Sequence, residues 1–420
     1  MMDTTTNRFI RWVALVLIFF GTIPQSYAKT WLVGGDSQIR QIKDAIAKAA
    51  PGDTIIIRKG IYREGNLAIH KPLYILGQDR PVLDGEHKYE ILSIHSDNVT
   101  IRGLKLQNCG RTTMDDLSAI KIYERKRVII EDNILKDNYF GIYLQHAENC
   151  IIRKNFIQAS GKEESQSGNG IHCWKSDSLQ IIGNKIFGHR DGIYFEFVTA
   201  SVIWRNIAQR NLRYGLHFMF SHHNSYFTNY FKENGSGVAV MFTKFVVMMN
   251  NTFEDNWGDA AYGVLFKELT DCYLSGNKFI RNTTGIFFEG SSRITAEANL
   301  FSENGWGLRM QANCVDIKII KNNFQGNTFD VSTNGTLTLN HFDLNYWDKY
   351  EGYDLNKDKI GDIPYRPLSL YSVIVEKSPP VMLLYRSFMI SLLDKSEKIF
   401  PTLTPENFID NHPRMIPNRI

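Results

Sequence analysis

His217, Met219 and Met241 bring one imidazole and two thioethers into a short span of chain, and His222 and His223 follow directly. Imidazole with thioether is a soft, electron-rich donor set that suits Cu(I) far better than magnesium or calcium. Outward-facing Met, Trp and His side chains also make an apolar patch on which a protein can dock. Residue types alone leave copper binding and docking both open. A second constellation, Asp354-x-Asn356-x-Asp358 followed by Asp362, spaces oxygen donors at alternate positions as a calcium loop does. Lys359 stands where such a loop takes glycine, and no glutamate follows at the distance of a bidentate ligand. An ordinary turn rich in Asp and Asn is therefore expected there, and a calcium site is not.

Whether the soft donors meet depends on the elements that carry them, and those come from a repeat. Asn-x-(Ile/Phe), with close variants, recurs at Asn133, Asn155, Asn184, Asn206, Asn229, Asn251, Asn277, Asn299 and Asn322, with gaps of 22, 29, 22, 23, 22, 26, 22 and 23. Gly followed by Ile, Leu or Val recurs at Gly141, Gly170, Gly192, Gly215, Gly237, Gly263, Gly285 and Gly307, with gaps of 29, 22, 23, 22, 26, 22 and 22. Both series carry the same two long steps, so the unit is about 22 residues with two insertions. Apolar residues alternate between the markers, as in Cys150-x-Ile152 and Ile193-x-Phe195, which is strand spacing. Two or three short strands per unit, stacked coil on coil at about 4.8 Å, make an all-β right-handed parallel β-helix. Asparagine at a fixed turn tolerates left-handed backbone angles and can stack into a hydrogen-bonded ladder.

The repeat also orients side chains. The residue after each marker glycine is apolar and points inward, so alternation sends the second and fourth residues out. His172, Trp174, Tyr194, Glu196, His217, Met219 and Met241 then share one wall, with Met219 and Met241 on adjacent coils about 4.8 Å apart. His217, Met219, Met241, His222 and His223 are the expected metal donors, and His172, Trp174, Tyr194 and Glu196 the docking surface at their edge. Cys173, Met248 and Met310 fall on inward phases and are expected in the core.

The chain ends follow from different signals. Arg8 and Arg11, the apolar run Trp12 to Ile23 and the small-x-small site Ser26-Tyr27-Ala28 predict an export signal over residues 1–28. An amphipathic capping helix is expected from Asp36 to Ala50, with Thr54 to Ile57 as the first strand. The β-helix is expected over residues 29–340, and residues 341–420 form an extension in which Pro379-Pro380 opens an apolar helix from Val381 to Leu393. That helix carries more apolar surface than a solvated tail justifies, so it should cap the last coil or dock on a partner, and Pro379-Pro380, which would swing it clear of the coil, favours docking. Five cysteines without close pairing do not form a disulfide framework, and buried thiols are expected.

With 48 basic and 44 acidic residues, the chain lacks the positive excess that drives phosphate binding, so no nucleic-acid role is expected. Many β-helices cleave or epimerise acidic polysaccharides, which needs clustered outward acids. Glu196 and Glu289 lie four coils apart by the unit count, about 20 Å, too far for a carboxylate pair. Arg190 and Asp191 fall at a turn and are expected to be solvated. No enzymatic activity is expected; a polysaccharide lyase or epimerase is the alternative.

The segment Arg213-Tyr214-Gly215-Leu216-His217-Phe218-Met219-Phe220-Ser221, then Gly237-Val238-Ala239-Val240-Met241, resembles the signature of the NosD family. Asn345-Tyr346-Trp347, Gly352-Tyr353-Asp354, Gly361-Asp362-Ile363-Pro364-Tyr365 and Ser378-Pro379-Pro380 extend the resemblance through the tail. It covers essentially the whole exported chain. It implies a periplasmic, non-enzymatic accessory protein of nitrous oxide reductase maturation. Its implied partners are an ABC-type ATPase, a membrane permease and a lipoprotein copper chaperone, with nitrous oxide reductase as client. Copper-centre assembly is the implied task, with copper or sulfur as cargo. The copper donors His217, Met219 and Met241 come from their positions, not from the resemblance.

Overall fold

The structure, a computed structural model, describes residues 28–112, 115–335, 339–399 and 408–420. Nearly all of the expected export signal therefore lies outside the described residues. Among the described residues the strands form three parallel sheets of 14, 12 and 13 strands, each adding one strand per coil. The chain visits the sheets in rotation and returns one coil further on, which makes a parallel β-helix of about 22-residue coils. The sheet that carries the candidate site runs from Leu67–Ile69 to Phe329–Thr333 and contains Tyr214–Met219 and Ser236–Met241. Within it Tyr194, His217 and Ala239 are register partners on successive coils, as are Glu196, Met219 and Met241.

Asparagine locks that register. Asn206 Oδ1 accepts from the backbone N–H of Asn184 at 2.9 Å and from its Nδ2 at 3.0 Å, while Asn206 Nδ2 donates to Ile181 O at 2.8 Å. The same bonds link Asn229 to Asn251 and continue through Asn322 to Asn345. These amides are buried, so each unmade bond would leave a polar group without water, at about 1–3 kcal/mol. The sequence reading missed a second ladder. Asn211, Asn234, Asn256, Asn282, Asn304 and Asn327 repeat the pattern five residues downstream of the first. His189 occupies that position one coil earlier, with its backbone N–H donating to Asn211 Oδ1.

The coil interior is apolar and stacked. Phe231, Phe253, Phe279, Phe301, Phe324 and Trp347 lie nearly parallel on consecutive coils, centroids 4.2–5.4 Å apart. All five cysteines are free and buried, and Cys173, Met248 and Met310 are in the core as expected. The marker glycines serve close approach. A Cβ on Gly215 would sit 2.7 Å from Gly237 O and 2.9 Å from the Asn234 amide, leaving no room for a side chain between coils.

Both ends depart from expectation. The first strand is Thr30–Val33, pairing with Thr54–Ile57, and helix α1 covers only Ile42–Lys48. Ile39 instead bridges Val33, which holds the preceding chain extended. Helix α1 is capped from outside: Glu64 accepts from the N–H groups of Ile42 and Lys43, and Lys71 donates to three carbonyls at its C-terminal end. Beyond Trp347 a helix α2, Leu370–Lys377, was not anticipated. Pro379–Leu384 forms a 3-10 turn, and α3 begins only at Phe388 and runs to Ile399. Tyr371 and Val375 of α2, with Ile390 of α3, pack on Phe329 at the flank of the last coils.

The open coil is closed by neither helix. Asp410 continues the asparagine ladder: its Oδ2 accepts from Asn345 N at 3.0 Å, Asn345 Nδ2 at 2.9 Å and Trp347 Nε1 at 3.0 Å. Phe408 is buried beside it, and Arg414 bridges Tyr346. Deleting 380–420 would therefore unplug the β-helix, not merely free a docking helix. Burial pushes the Asp410 carboxyl above the usual range despite its hydrogen bonds from Asn345 and Trp347. We predict that Asp410→Ala lowers stability by about 2–4 kcal/mol, because several buried donors lose one acceptor. Asp410→Asn, which keeps an oxygen and buries no charge, should stay within about 1 kcal/mol. Urea melts of both variants check this; equal losses would show that the ladder does not extend to Asp410.

Candidate soft-metal and docking surface

The outer wall of the 12-stranded sheet carries a single file of rings. Tyr143, His172, Tyr194 and His217 follow one another on successive coils at 4.3, 4.8 and 5.0 Å between centroids. Lys121 lies over Tyr143 at one end of the file. Alternation along each strand sends these side chains out, as the sequence predicts. They are not freely exposed, however. Tyr143, His172 and His217 are buried, because rings stacked at coil spacing cover one another and residues at the strand starts fold over them.

His217 shows how. It is 6% exposed, between Tyr194 and the ring of Tyr214 at 4.8 Å. Its Nδ1 lies 3.7 Å from Asp191 Oδ2 and 3.5 Å from Arg213 Nη2, and its Nε2 has no hydrogen-bond partner. Asp191 is fully buried, against the expectation of a solvated turn. It accepts from Arg213 Nε at 2.9 Å and Nη2 at 2.5 Å, because Arg213 immediately precedes Tyr214, the register partner of Asp191 on the next coil. Burial pushes the Asp191 carboxyl up, but hydrogen bonds from His217 and Arg213 outweigh it and hold the group below its ordinary value. A His217 tautomer protonated at Nδ1 faces Asp191 and leaves the Nε2 lone pair open to a metal, whereas one that accepts from Arg213 at Nδ1 carries its proton on Nε2.

Met219 lies half-buried two residues along the strand, where Tyr194 Oη donates to its sulfur at 3.7 Å. Met241 is its half-buried register partner on the next coil. Trp174 and Glu196 sit in the same column, Trp174 between His146 and the Lys175 ammonium. His222 and His223 lie at the following turn: His222 Nδ1 accepts from Lys244 N at 3.2 Å, and His223 stacks on Phe245. Among the described residues no three His, Cys, Asp or Glu side chains are grouped to hold a metal ion.

In the calcium-like segment, Asp354 accepts from the backbone N–H groups of Asp358 and Lys359. Asp358 Oδ1 accepts from Ile360 N, and Asp362 Oδ2 from Leu355 N. These carboxylates shape a turn. On the wall, the register places Glu196 and Glu289 four coils apart, with Met219, Met241 and Lys267 between them. The separation is thus about 19 Å, beyond the span at which two carboxyl groups flank one glycosidic bond.

The chain matches the family model described as "Periplasmic copper-binding protein (NosD)" over residues 48–164 and 157–357. It is 28% identical over 407 residues to a "Probable ABC transporter binding protein NosD" of Pseudomonas aeruginosa, covering 88% of this chain and 92% of that protein. The like-named protein of Stutzerimonas stutzeri is 28% identical over 376 residues, covering 84% of each. Among solved structures, a pre-mature bacteriophage phi29 gene product 12 is similar with TM-score 0.57 and 12% identity, covering 75% of this chain and 56% of that one. The catalytic domain of a GH87 alpha-1,3-glucanase is similar with TM-score 0.54 and 10% identity, covering 73% and 66%. At such identities these two show the fold alone.

Burial, and then the Arg190 charge, push the His172 imidazole down from 6.5 to about 3. An unfolded chain would take up this proton near pH 6.5 while the folded one would not. The stability tied to neutral His172 is complete above pH 6.5 and is lost as pH falls toward 3. We expect His172→Gln to flatten the fall of Tm between pH 6.5 and 4. An unchanged slope would place the acid sensitivity elsewhere.

Proposed function

The chain belongs to the NosD family, and on that premise we propose that it is an exported, non-enzymatic accessory protein of nitrous oxide reductase maturation. It works in the periplasm with an ABC-type ATPase and permease, takes Cu(I) from a lipoprotein chaperone, and presents it for assembly of the reductase's copper centre. Copper is cargo here. The observation that carries this reading is His217: buried, turned toward the Asp191 carboxylate, and with its Nε2 left unpartnered on the wall that holds Met219 and Met241. A buried nitrogen without a partner is costly unless something binds it. Two thioethers and an imidazole form a low-charge set that holds Cu(I) and releases it by ligand exchange. His172, Trp174, Tyr194 and Glu196 would then border the exchange surface.

The transporter contact is assigned to the tail. Helices α2 and α3 pack one face on Phe329, and Arg309 and Ser332 fix α2 through Glu376. Leu383 in the 3-10 turn and Phe388, Met389 and Leu392 of α3 are mostly exposed. Among the described residues no helix is long and apolar enough to cross a membrane. This apolar surface suits a seat on the periplasmic side of a permease.

Two outcomes are expected. In a Cu(I) titration against a competing chromogenic chelator, Met219→Leu with Met241→Leu should weaken binding by more than about tenfold, and Asp191→Asn by about tenfold. Affinity unchanged by the double methionine variant would leave docking as the wall's only role. Leu383→Ser with Phe388→Ser should leave the fold's stability within about 0.5 kcal/mol, because both side chains are exposed. The same pair should abolish co-purification with the permease–ATPase complex; full retention would move the contact elsewhere.

A further inference from the structure

A ridge of phenyl rings runs along the turn that follows the candidate wall. Phe197, Phe220 and Phe242 occupy one turn position on three consecutive coils, with centroids 5.2 and 5.1 Å apart and planes within 14°. One strand-turn further on, His223 stacks on Phe245. Around the corner Trp204, Phe227 and Met249 are register partners, so the apolar band wraps onto the neighbouring sheet. Phe197, Trp204, Phe220, Phe242 and Phe245 are each 37–47% exposed.

The backbone makes the ridge more telling. Phe197, Phe220 and Phe242 have φ of 53, 49 and 54°, left-handed angles that cost a bulky residue about 1–2 kcal/mol. Glycine or asparagine would hold this turn with less strain and less exposed apolar surface. The rings stack on one another yet each keeps 37–44% of its surface exposed, apolar surface that a partner on the ridge would cover.

The column's charges say which partner. On successive coils it reads Lys175, Phe197, Phe220, Phe242, Glu268, all in the left-handed conformation and all exposed. Neither Lys175 nor Glu268 has an ion-pair partner among the described residues. A two-fold axis through Phe220, perpendicular to the stack, sets Phe197 against Phe242 of a second copy and Lys175 against Glu268 of that copy. Coil spacing is the same in both copies, so the pairs fall in register. We propose that this ridge is the seam of an isologous dimer of the chain, antiparallel along the β-helix axis, with phenyl rings at its centre and a Lys175–Glu268 pair at each end.

The size of the seam sets its strength. Aromatic side chains bury about 150–250 Å² each, so five at this exposure supply roughly 300–500 Å² per copy. Stable complexes bury about 800 Å² per partner, so the dimer is weak and forms with rising concentration. Because Met219 and Met241 immediately precede Phe220 and Phe242, the seam lies beside the proposed copper surface, though the inference does not depend on copper.

Sedimentation equilibrium of the full exported chain across a concentration series tests this. The native protein should pass from monomer to dimer, and Phe220→Glu should remain monomeric throughout. Phe242→Asn, which suits the left-handed turn, should also be monomeric while melting no earlier than the native chain. Lys175→Glu should weaken the dimer, and adding Glu268→Lys should restore it. A native protein that stays monomeric, a dimer indifferent to Phe220→Glu, or a double reversal as weak as the single one would each overturn the proposal.

Discussion

Everything in this molecule depends on one contact repeated from coil to coil: a buried asparagine side chain that bonds the backbone of its neighbour. Parallel strands about 4.8 Å apart would stack in any register that kept inside and outside distinct. The amide ladders remove that freedom, because a coil that slips by two residues leaves buried donors and acceptors unpaired along both turns. Glycine at the strand start brings backbones closer than a Cβ permits, and the phenyl stack inside fills the space. The two ladders, the glycine column and the stacked rings all impose one period. Hence insertions occur only between them.

A fixed period turns sequence columns into spatial columns, and the candidate site follows from that. Tyr194, His217 and Ala239 succeed one another because their coils are in phase, as do Glu196, Met219 and Met241. Arg213 reaches Asp191 because it precedes Tyr214, the register partner of Asp191 on the next coil. Burying that ion pair would be costly for an isolated acid, but two hydrogen bonds from Arg213 and the nearby imidazole hold Asp191 ionised. Two adjacent strands, Tyr214–Met219 and Ser236–Met241, therefore bring one imidazole and two thioethers onto one wall. Met219 and Met241 are half-buried at its surface, and His217 lies beneath the rings of Tyr194 and Tyr214.

The period, the inward and outward phases and the first ladder were legible because each is a local rule repeated many times. Cys173, Met248 and Met310 fell inward for the same reason. Burial on the outer wall was not legible: His217 is covered by Tyr194 and Tyr214, and Asp191 by Arg213, contacts between coils that no single strand displays. The second ladder was readable in principle, as asparagine five residues after the first. His189 in its place, and Ser160 at the same offset one coil earlier, break the pattern where it would first be noticed. The ends were hardest, because they are unique. Thr30–Val33 is a strand only because Thr54–Ile57 lies beside it, and Asp410 reaches the ladder across 65 residues of chain.

On the reading proposed here, the wall bearing His217, Met219 and Met241 holds Cu(I) through thioether sulfur and a single imidazole. X-ray absorption at the copper edge of the Cu(I)-loaded exported chain tests it most directly. The account predicts sulfur scatterers with one histidine nitrogen in the native protein, and loss of the sulfur signal when Met219 and Met241 become leucine. A first shell of nitrogen and oxygen alone, or a sulfur signal that survives the double replacement, would contradict it.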